Sequence, residues 1–180
     1  MTHPQSEVSL LIAFVDLARF AAQSQRLDDH AIAETLDEYY EHIAATVQRS
    51  GGTIVKFIGD AALIVFPESR VDQGVETLLA LKSSVDEMMT ARAWECRLTA
   101  KIHFGTAIAG PFGGQNEKRF DVIGKAVNTA AMLDAPGVSL SVEAFRKLGR
   151  ELRTRFKKHS PPVTYIRVED PRRFRWSARA

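Results

Sequence analysis

Two aspartates, Asp16 and Asp60, stand where apolar runs end. VSLLIAFV, residues 8–15, is β-rich and unbroken by charge, which predicts a buried strand with Asp16 at its exit. In TIVKFIGDAALIVF two apolar arms flank Gly59-Asp60, a pair that reads as a hairpin turn presenting Asp60. If the strand and the hairpin are neighbours in one sheet, the two carboxylates converge on one point. Oxygen-only ligands suit hard divalent cations such as Mg2+ or Mn2+. Two such cations can neutralise phosphate charge and orient a nucleophile for in-line displacement. The backbone N–H groups of Leu17, Ala18, Arg19 and Phe20, at the start of an expected helix, would cradle phosphate oxygens. Equally open on these residues alone is a plainer role, in which Asp16 caps that helix and Asp60 shapes the turn.

The elements that must position these groups follow from the hydrophobic spacing. Asp28 and Asp29 offer an N-cap to a helix with Ile32, Leu36, Tyr39, Ile43 and Val47 on one face, ended by Gly51-Gly52. A second helix is marked by Val71, Val75, Leu78, Leu79, Val85 and Met88 and should pack beside the first. LTAKIHFGTAIAG is expected to be a strand and PFGGQNEKR a loop, followed by FDVIG and a short helix over residues 125–133. SVEAFRKLG suggests another helix and VTYIRV a last strand. The order strand, helix, hairpin, helix, strand predicts an α+β fold, a ferredoxin-like βαββαβ core with added C-terminal elements. The expected organisation is a single domain over residues 1–180, with its core at about 8–168 and a basic tail at 169–180.

Composition narrows the classes of function. The 24 Lys and Arg against 22 Asp and Glu leave a net charge of +2, which predicts no nucleic-acid partner. Hydrophobic residues make up 45% of the chain, enough for a core, yet the longest apolar stretches are far short of the roughly 20 residues a membrane helix needs. No membrane contact is expected from this chain. One cysteine, Cys96, excludes an internal disulfide framework, and no charged-then-apolar leader precedes the first apolar run, so a cytoplasmic setting is expected.

FVDLARF, VKFIGDAALIVF and FDVIGKAVNTAAML, in that order, resemble the three signature blocks of the class III adenylyl and guanylyl cyclase catalytic domains. The resemblance covers roughly residues 8–168. It implies that Asp16 and Asp60, with the backbone carbonyl of Leu17, hold two divalent cations, Mg2+ or Mn2+. It also implies that Lys56 and Asp121 select the purine. An ammonium can only donate, which suits adenine N1, and a carboxylate accepts from the adenine exocyclic amine. ATP is therefore expected over GTP. Asn128 would orient the ribose. In this family the metal aspartates come from one subunit and the purine pair from the other, so the resemblance implies a homodimer with composite sites.

The chain departs from the pattern at two places. Four residues after Asn128 the family usually has an arginine; here the residue is Met132. A missing contact to developing charge typically costs about a hundredfold to a thousandfold in rate. A second phosphate-binding arginine position holds Thr99, where Arg97 and Lys101 share the strand face and are the compensating candidates. The late phosphate lysine of the family has its nearest counterpart in Lys157, beside Lys158; Lys125, Arg119 and Arg146 are further candidates for replacing the lost cation. The expected function is an adenylyl cyclase forming cyclic AMP and pyrophosphate. Its alternatives are a catalytically weak or silent nucleotide-binding or regulatory module, and a cyclase of another nucleotide, GTP or a pyrimidine.

Overall fold

The computed structural model describes residues 5–134, 137–159 and 163–169. β1 (Ser6–Ala18) is longer at both ends than its apolar run predicts. Its side chains alternate: Leu11, Ala13, Val15 and Leu17 enter the main core, while Leu10, Ile12 and Phe14 pack with the opposite face, to which Asp16 also belongs by the period of two. After α1 (Phe20–Ser24), α2 (Asp29–Arg49) starts at Asp28, whose carboxylate accepts from the Ala31 N–H at 2.9 Å, as the capping signal predicts. Tyr39, Ile43 and Val47 of its stripe are completely buried.

β2 (Thr53–Ile58) and β3 (Ala61–Pro67) form the predicted hairpin, and a 3-10 turn at Glu68–Arg70 leads into α3 (Val71–Ala91). β4 (Arg97–Gly114), β5 (Glu117–Ile123), α4 (Lys125–Met132), β6 (Val138–Leu140), α5 (Val142–Lys147), α6 (Arg150–Arg153), β7 (Phe156–His159) and β8 (Thr164–Arg167) complete the chain. The strands form one sheet in the order β2-β3-β1-β4-β6-β8-β7, with β5 also on β4. Its first four strands have the ferredoxin-like arrangement, so the α+β reading holds. β6 runs parallel to β4; the other pairs are antiparallel.

α2 and α3 cover one face side by side, joined by His42 Nε2 and Ser84 Oγ at 2.7 Å. This is the large core; shortening a fully buried side chain in it, such as Leu78, removes about 2–5 kcal/mol of stability. Among the described residues the opposite face is covered by α4 and the β4–β5 pair, around Ile12, Leu63, Val65, Ala107, Val122, Ala126 and Ala130. Gly105 permits that docking, because a Cβ there would lie 2.8 Å from the Ala126 Cβ. Much of this face stays open.

Two expectations need correcting, and two strands lie beyond the expected elements. PFGGQNEKR is a two-stranded ribbon, with β4 running to Gly114 and β5 starting at Glu117, since backbone pairing there does not depend on apolar alternation. Lys157 and Lys158 lie in β7, whose polar FKKH sequence carries no strand signal, and three-residue β6 is too short to show a period. Leu17 and Ala18 do not open a helix: they are the last residues of β1, opposite Leu98 and Arg97. The expected tail lies outside the described residues from 170 onward. Among the described residues no helix is long and apolar enough to cross a membrane.

Candidate active site

Asp16 and Asp60 meet because two strand registers end together. β1 pairs with β3 as far as Val15 opposite Ala62, and β2 pairs with β3 as far as Ile58 opposite Ala61. Gly59 and Asp60 are left as a two-residue turn beside the exit of β1. Gly59 has φ 60 and open space where a Cβ would be, so glycine is required there by the backbone of the turn rather than by crowding. Burial, and after it hydrogen bonding and repulsion from Asp16, push the Asp60 carboxyl up to about 6. The backbone N–H groups of Asp60 and Leu17 pull it the other way.

Leu17 therefore turns its N–H toward Asp60, and in an extended strand the carbonyl of the same residue points to the same side. Asp16 faces its carbonyl the opposite way, where the Thr99 hydroxyl donates to it at 3.3 Å. The corner thus collects two carboxylates and one backbone carbonyl direction. Among the described residues no cluster of three or more His, Cys, Asp or Glu exists. Two carboxylates this close suit a hard divalent cation whose remaining ligands are water or phosphate oxygens, as Mg2+ prefers. The residues present fit such an ion.

The turn is also held from α2. The Tyr39 hydroxyl donates to the Asp60 carbonyl at 3.0 Å and the Tyr40 hydroxyl to the Gly59 carbonyl at 2.5 Å. Burial, with Asp60 and Asp16 nearby, raises the Tyr39 phenol above its ordinary range and keeps it a donor. Helical spacing marks Tyr39 as a core position and says nothing about Tyr40; a tyrosine pair 21 and 19 residues before the groups it holds has no sequence signature.

Lys56 and Asp121 form a second group. A register shift between Ile54 and Lys56 leaves Ile54 and Phe57 in the main core and Val55 on the open face, so the bulge frees Lys56 to join Val55 there. Lys56 Nζ reaches Asp121 Oδ2 at 2.6 Å, while Asp121 Oδ1 accepts from the Val122 N–H at 2.8 Å. On a flat sheet β2 and β5 would be four strand spacings, roughly 19 Å, apart. The contact exists because the β4–β5 ribbon folds back over the open face.

The third group is on α4. Asn128 and Met132, four residues apart, share its exposed face, and Met132 is 82% exposed. Lys101 Nζ donates to the carbonyl of Ala131 at 3.3 Å, which brings this cation to the residue preceding Met132. Among the described residues no hydrogen bond or ion pair joins Lys56, Asp121 or Asn128 to Asp16 or Asp60.

The other cations are placed elsewhere. Arg97 donates to the carbonyls of Trp94 and Cys96 at 3.0 and 2.6 Å, which turns it away from the strand face it was expected to serve. Arg119 pairs with Glu117 at 2.6 Å on the ribbon. Lys125 opens α4, and Arg146 lies in the last turn of α5. Lys157 Nζ donates to the Val168 carbonyl at 2.6 Å on β7, the far edge of the sheet, so within one chain it is remote from Asp16. Arg19 takes the left-handed conformation at φ 70, ends β1 and pairs with Glu95 at 3.6 Å. The short α1 begins at Phe20 with Arg19 at its N-cap, so of the expected phosphate cradle Ala18 is a strand end, while Arg19 and Phe20 open a five-residue helix.

A family model described as the adenylate and guanylate cyclase catalytic domain matches residues 2–167. Adenylate cyclase 2 of Rhizobium meliloti (strain 1021) is 29% identical over 164 residues, which cover 87% of this chain and 43% of that protein. The chain spans less than half the length of the curated relatives it matches. Among solved structures, the adenylyl cyclase CyaB from P. aeruginosa superposes with a TM-score of 0.80 at 20% identity, over 93% of this chain and 97% of that one. The guanylate cyclase domain of RhGC from Catenaria anguillulae, in complex with GTP, superposes with a TM-score of 0.75 at 21% identity, over 89% of this chain and 96% of that one. The fold is common to proteins named for either purine, so the base must be argued from the residues.

Proposed function

Because the chain belongs to the adenylate and guanylate cyclase catalytic domain family, we propose that it converts ATP to 3′,5′-cyclic AMP and pyrophosphate as a cytoplasmic homodimer. The observation that carries the choice of base is the Lys56–Asp121 pair, a donor and an acceptor 2.6 Å apart on the open face. Spread around a purine, the ammonium donates to adenine N1 and the carboxylate accepts from the exocyclic amine; guanine offers the reverse pattern.

Asp16, Asp60 and the Leu17 carbonyl would hold the two divalent cations, Mg2+ or Mn2+. When bound, these lower the pKa of the attacking 3′-hydroxyl and neutralise triphosphate charge. Asn128 orients the ribose so that the hydroxyl faces the α-phosphorus, and fixing that geometry removes much of the entropic barrier. The backbone of Ala18, Arg19 and Phe20 lies next to the metal corner and meets the phosphates. Lys101, beside Met132, supplies the cation that methionine cannot, and Lys157 is the second phosphate candidate. Because the metal corner and the purine pair are separate within a chain, each site takes Asp16 and Asp60 from one protomer and Lys56, Asp121 and Asn128 from the other. Residues 8–168 form the catalytic core of one domain, and 169–180 form its basic tail.

Met132 favours one competing reading, a weak or silent cyclase-like module that binds nucleotide. Incubating purified protein with ATP, GTP, CTP and UTP in Mn2+ separates the readings. Cyclic AMP from ATP alone is expected. Cyclic product from another nucleotide moves the base assignment, and no product from any nucleotide, at a concentration where the protein is dimeric, leaves only the silent module.

A further inference from the structure

The Gly59–Asp60 turn receives two hydroxyl hydrogen bonds from consecutive residues of α2. Neighbouring helix residues point about 100° apart, so Tyr39 and Tyr40 approach the turn along different directions. Tyr39 comes through the core, completely buried. Tyr40 comes over the hairpin edge, its ring stacked on Phe57 with centroids 4.1 Å apart. They take adjacent carbonyls, Asp60 at 3.0 Å and Gly59 at 2.5 Å. A buried phenol needs some acceptor, and for Tyr39 alone that need would account for the bond. Tyr40 is half-exposed and could be satisfied by water, yet it reaches the same turn.

The carbonyls of this two-residue turn take no part in the strand ladder, and a shift of the turn backbone carries the Asp60 carboxylate with it. Nothing in the β2–β3 ladder restrains the turn beyond Ile58 and Ala61. We infer that Tyr39 and Tyr40 are positioning residues that set the divalent-cation affinity of the Asp16–Asp60 corner by clamping the turn backbone to α2. The inference rests on the reading of those aspartates as metal ligands. Partners of this kind, one step behind the ligands, typically change metal affinity by about tenfold to a hundredfold.

The test is Mn2+ binding to the purified, nucleotide-free protein by calorimetry, alongside its thermal midpoint without metal. Tyr40→Phe keeps the ring and the stack on Phe57 and removes only the hydroxyl. It should weaken Mn2+ binding about tenfold while the metal-free midpoint moves by less than about 2 °C. Tyr39→Phe should weaken binding at least as much, with a lower midpoint because the Asp60 carbonyl loses its buried donor. Asp60→Asn should abolish binding, and adding Tyr40→Phe to it should change nothing further. Wild-type Mn2+ affinity in both phenylalanine variants overturns the clamp, whatever happens to the midpoint. Equal Mn2+ binding by wild type and Asp60→Asn instead overturns the metal reading, and the clamp falls with it.

Discussion

The Asp16–Asp60 corner and the exposed face of α4 are built to opposite standards. Asp60 sits in a turn fixed by a left-handed glycine, two tyrosine hydroxyls and the Leu17 N–H, while Thr99 ties down the Asp16 backbone. Asn128 and Met132 stand on a helix face that is exposed among the described residues. Two like charges placed close together need a rigid frame, because any slack lets them separate. The proposed shared site would need the reverse at α4, an open surface with the partner supplying the walls.

The contrast breaks most visibly if the aspartates are removed. Asp16→Ala and Asp60→Ala should each lower cyclase activity by at least about a thousandfold, read as cyclic nucleotide formed per minute. Mixed together, those two variants should stay inactive, whereas Asp60→Ala mixed with Asn128→Ala should regain one intact site per heterodimer. No recovery in the second mixture, with dimers present, would sink the shared site. Next in size is the cation beside α4. Lys101→Ala should cost about a hundredfold in kcat, and Met132→Arg should then restore activity to that variant. A Lys101→Ala protein with full activity would place the cation elsewhere.

A smaller effect is expected at the purine pair. Lys56→Glu should reduce the ATP-to-GTP ratio of kcat/KM by about tenfold to a hundredfold, the worth of one charged hydrogen bond. The smallest concerns pH. The folded-state pKa of Asp60, about 6, lies above its ordinary 3.8, so the metal-free folded protein takes up this proton first as pH falls from 6 toward 4. The corner then becomes less destabilising, and its contribution to stability falls again as pH rises through 6. Metal affinity should run the other way, dropping about tenfold per pH unit below 6, because the ion and the proton compete. Mn2+ titrations at pH 5, 6 and 7 that give one affinity would contradict the raised carboxyl.

Much of the fold could be read from the chain because its signals are local. Asp28 capped the helix it was expected to cap, and Gly59-Asp60 made the expected turn. The ribbon at residues 111–119 was missed because its glycines, Asn and charges look like a loop, and backbone pairing alone makes it a strand pair. Arg97 was placed on the right strand but not in the right direction, since its guanidinium is drawn to two carbonyls at the strand's own start. Asp16, Asp60, Lys56 and Asp121 stood out as motif residues, and the fold brings them together in two pairs. The support behind them was not legible: the Tyr40 and Thr99 hydroxyls donate to the backbone carbonyls of Gly59 and Asp16, and such acceptors are carried by every residue type.

By itself, then, the sequence determined the order of the elements and the carboxylates and cations they carry, because periodicity, caps and turns depend on near neighbours. The tertiary structure decided which of them meet. Lys56 and Asp121, 65 residues apart, touch only because a bulge in β2 and the folding-back of the β4–β5 ribbon bring two distant strands together. Asp16 and Asp60 share a corner only because two antiparallel registers run out at the same level, a property of strand pairing that neither segment carries alone.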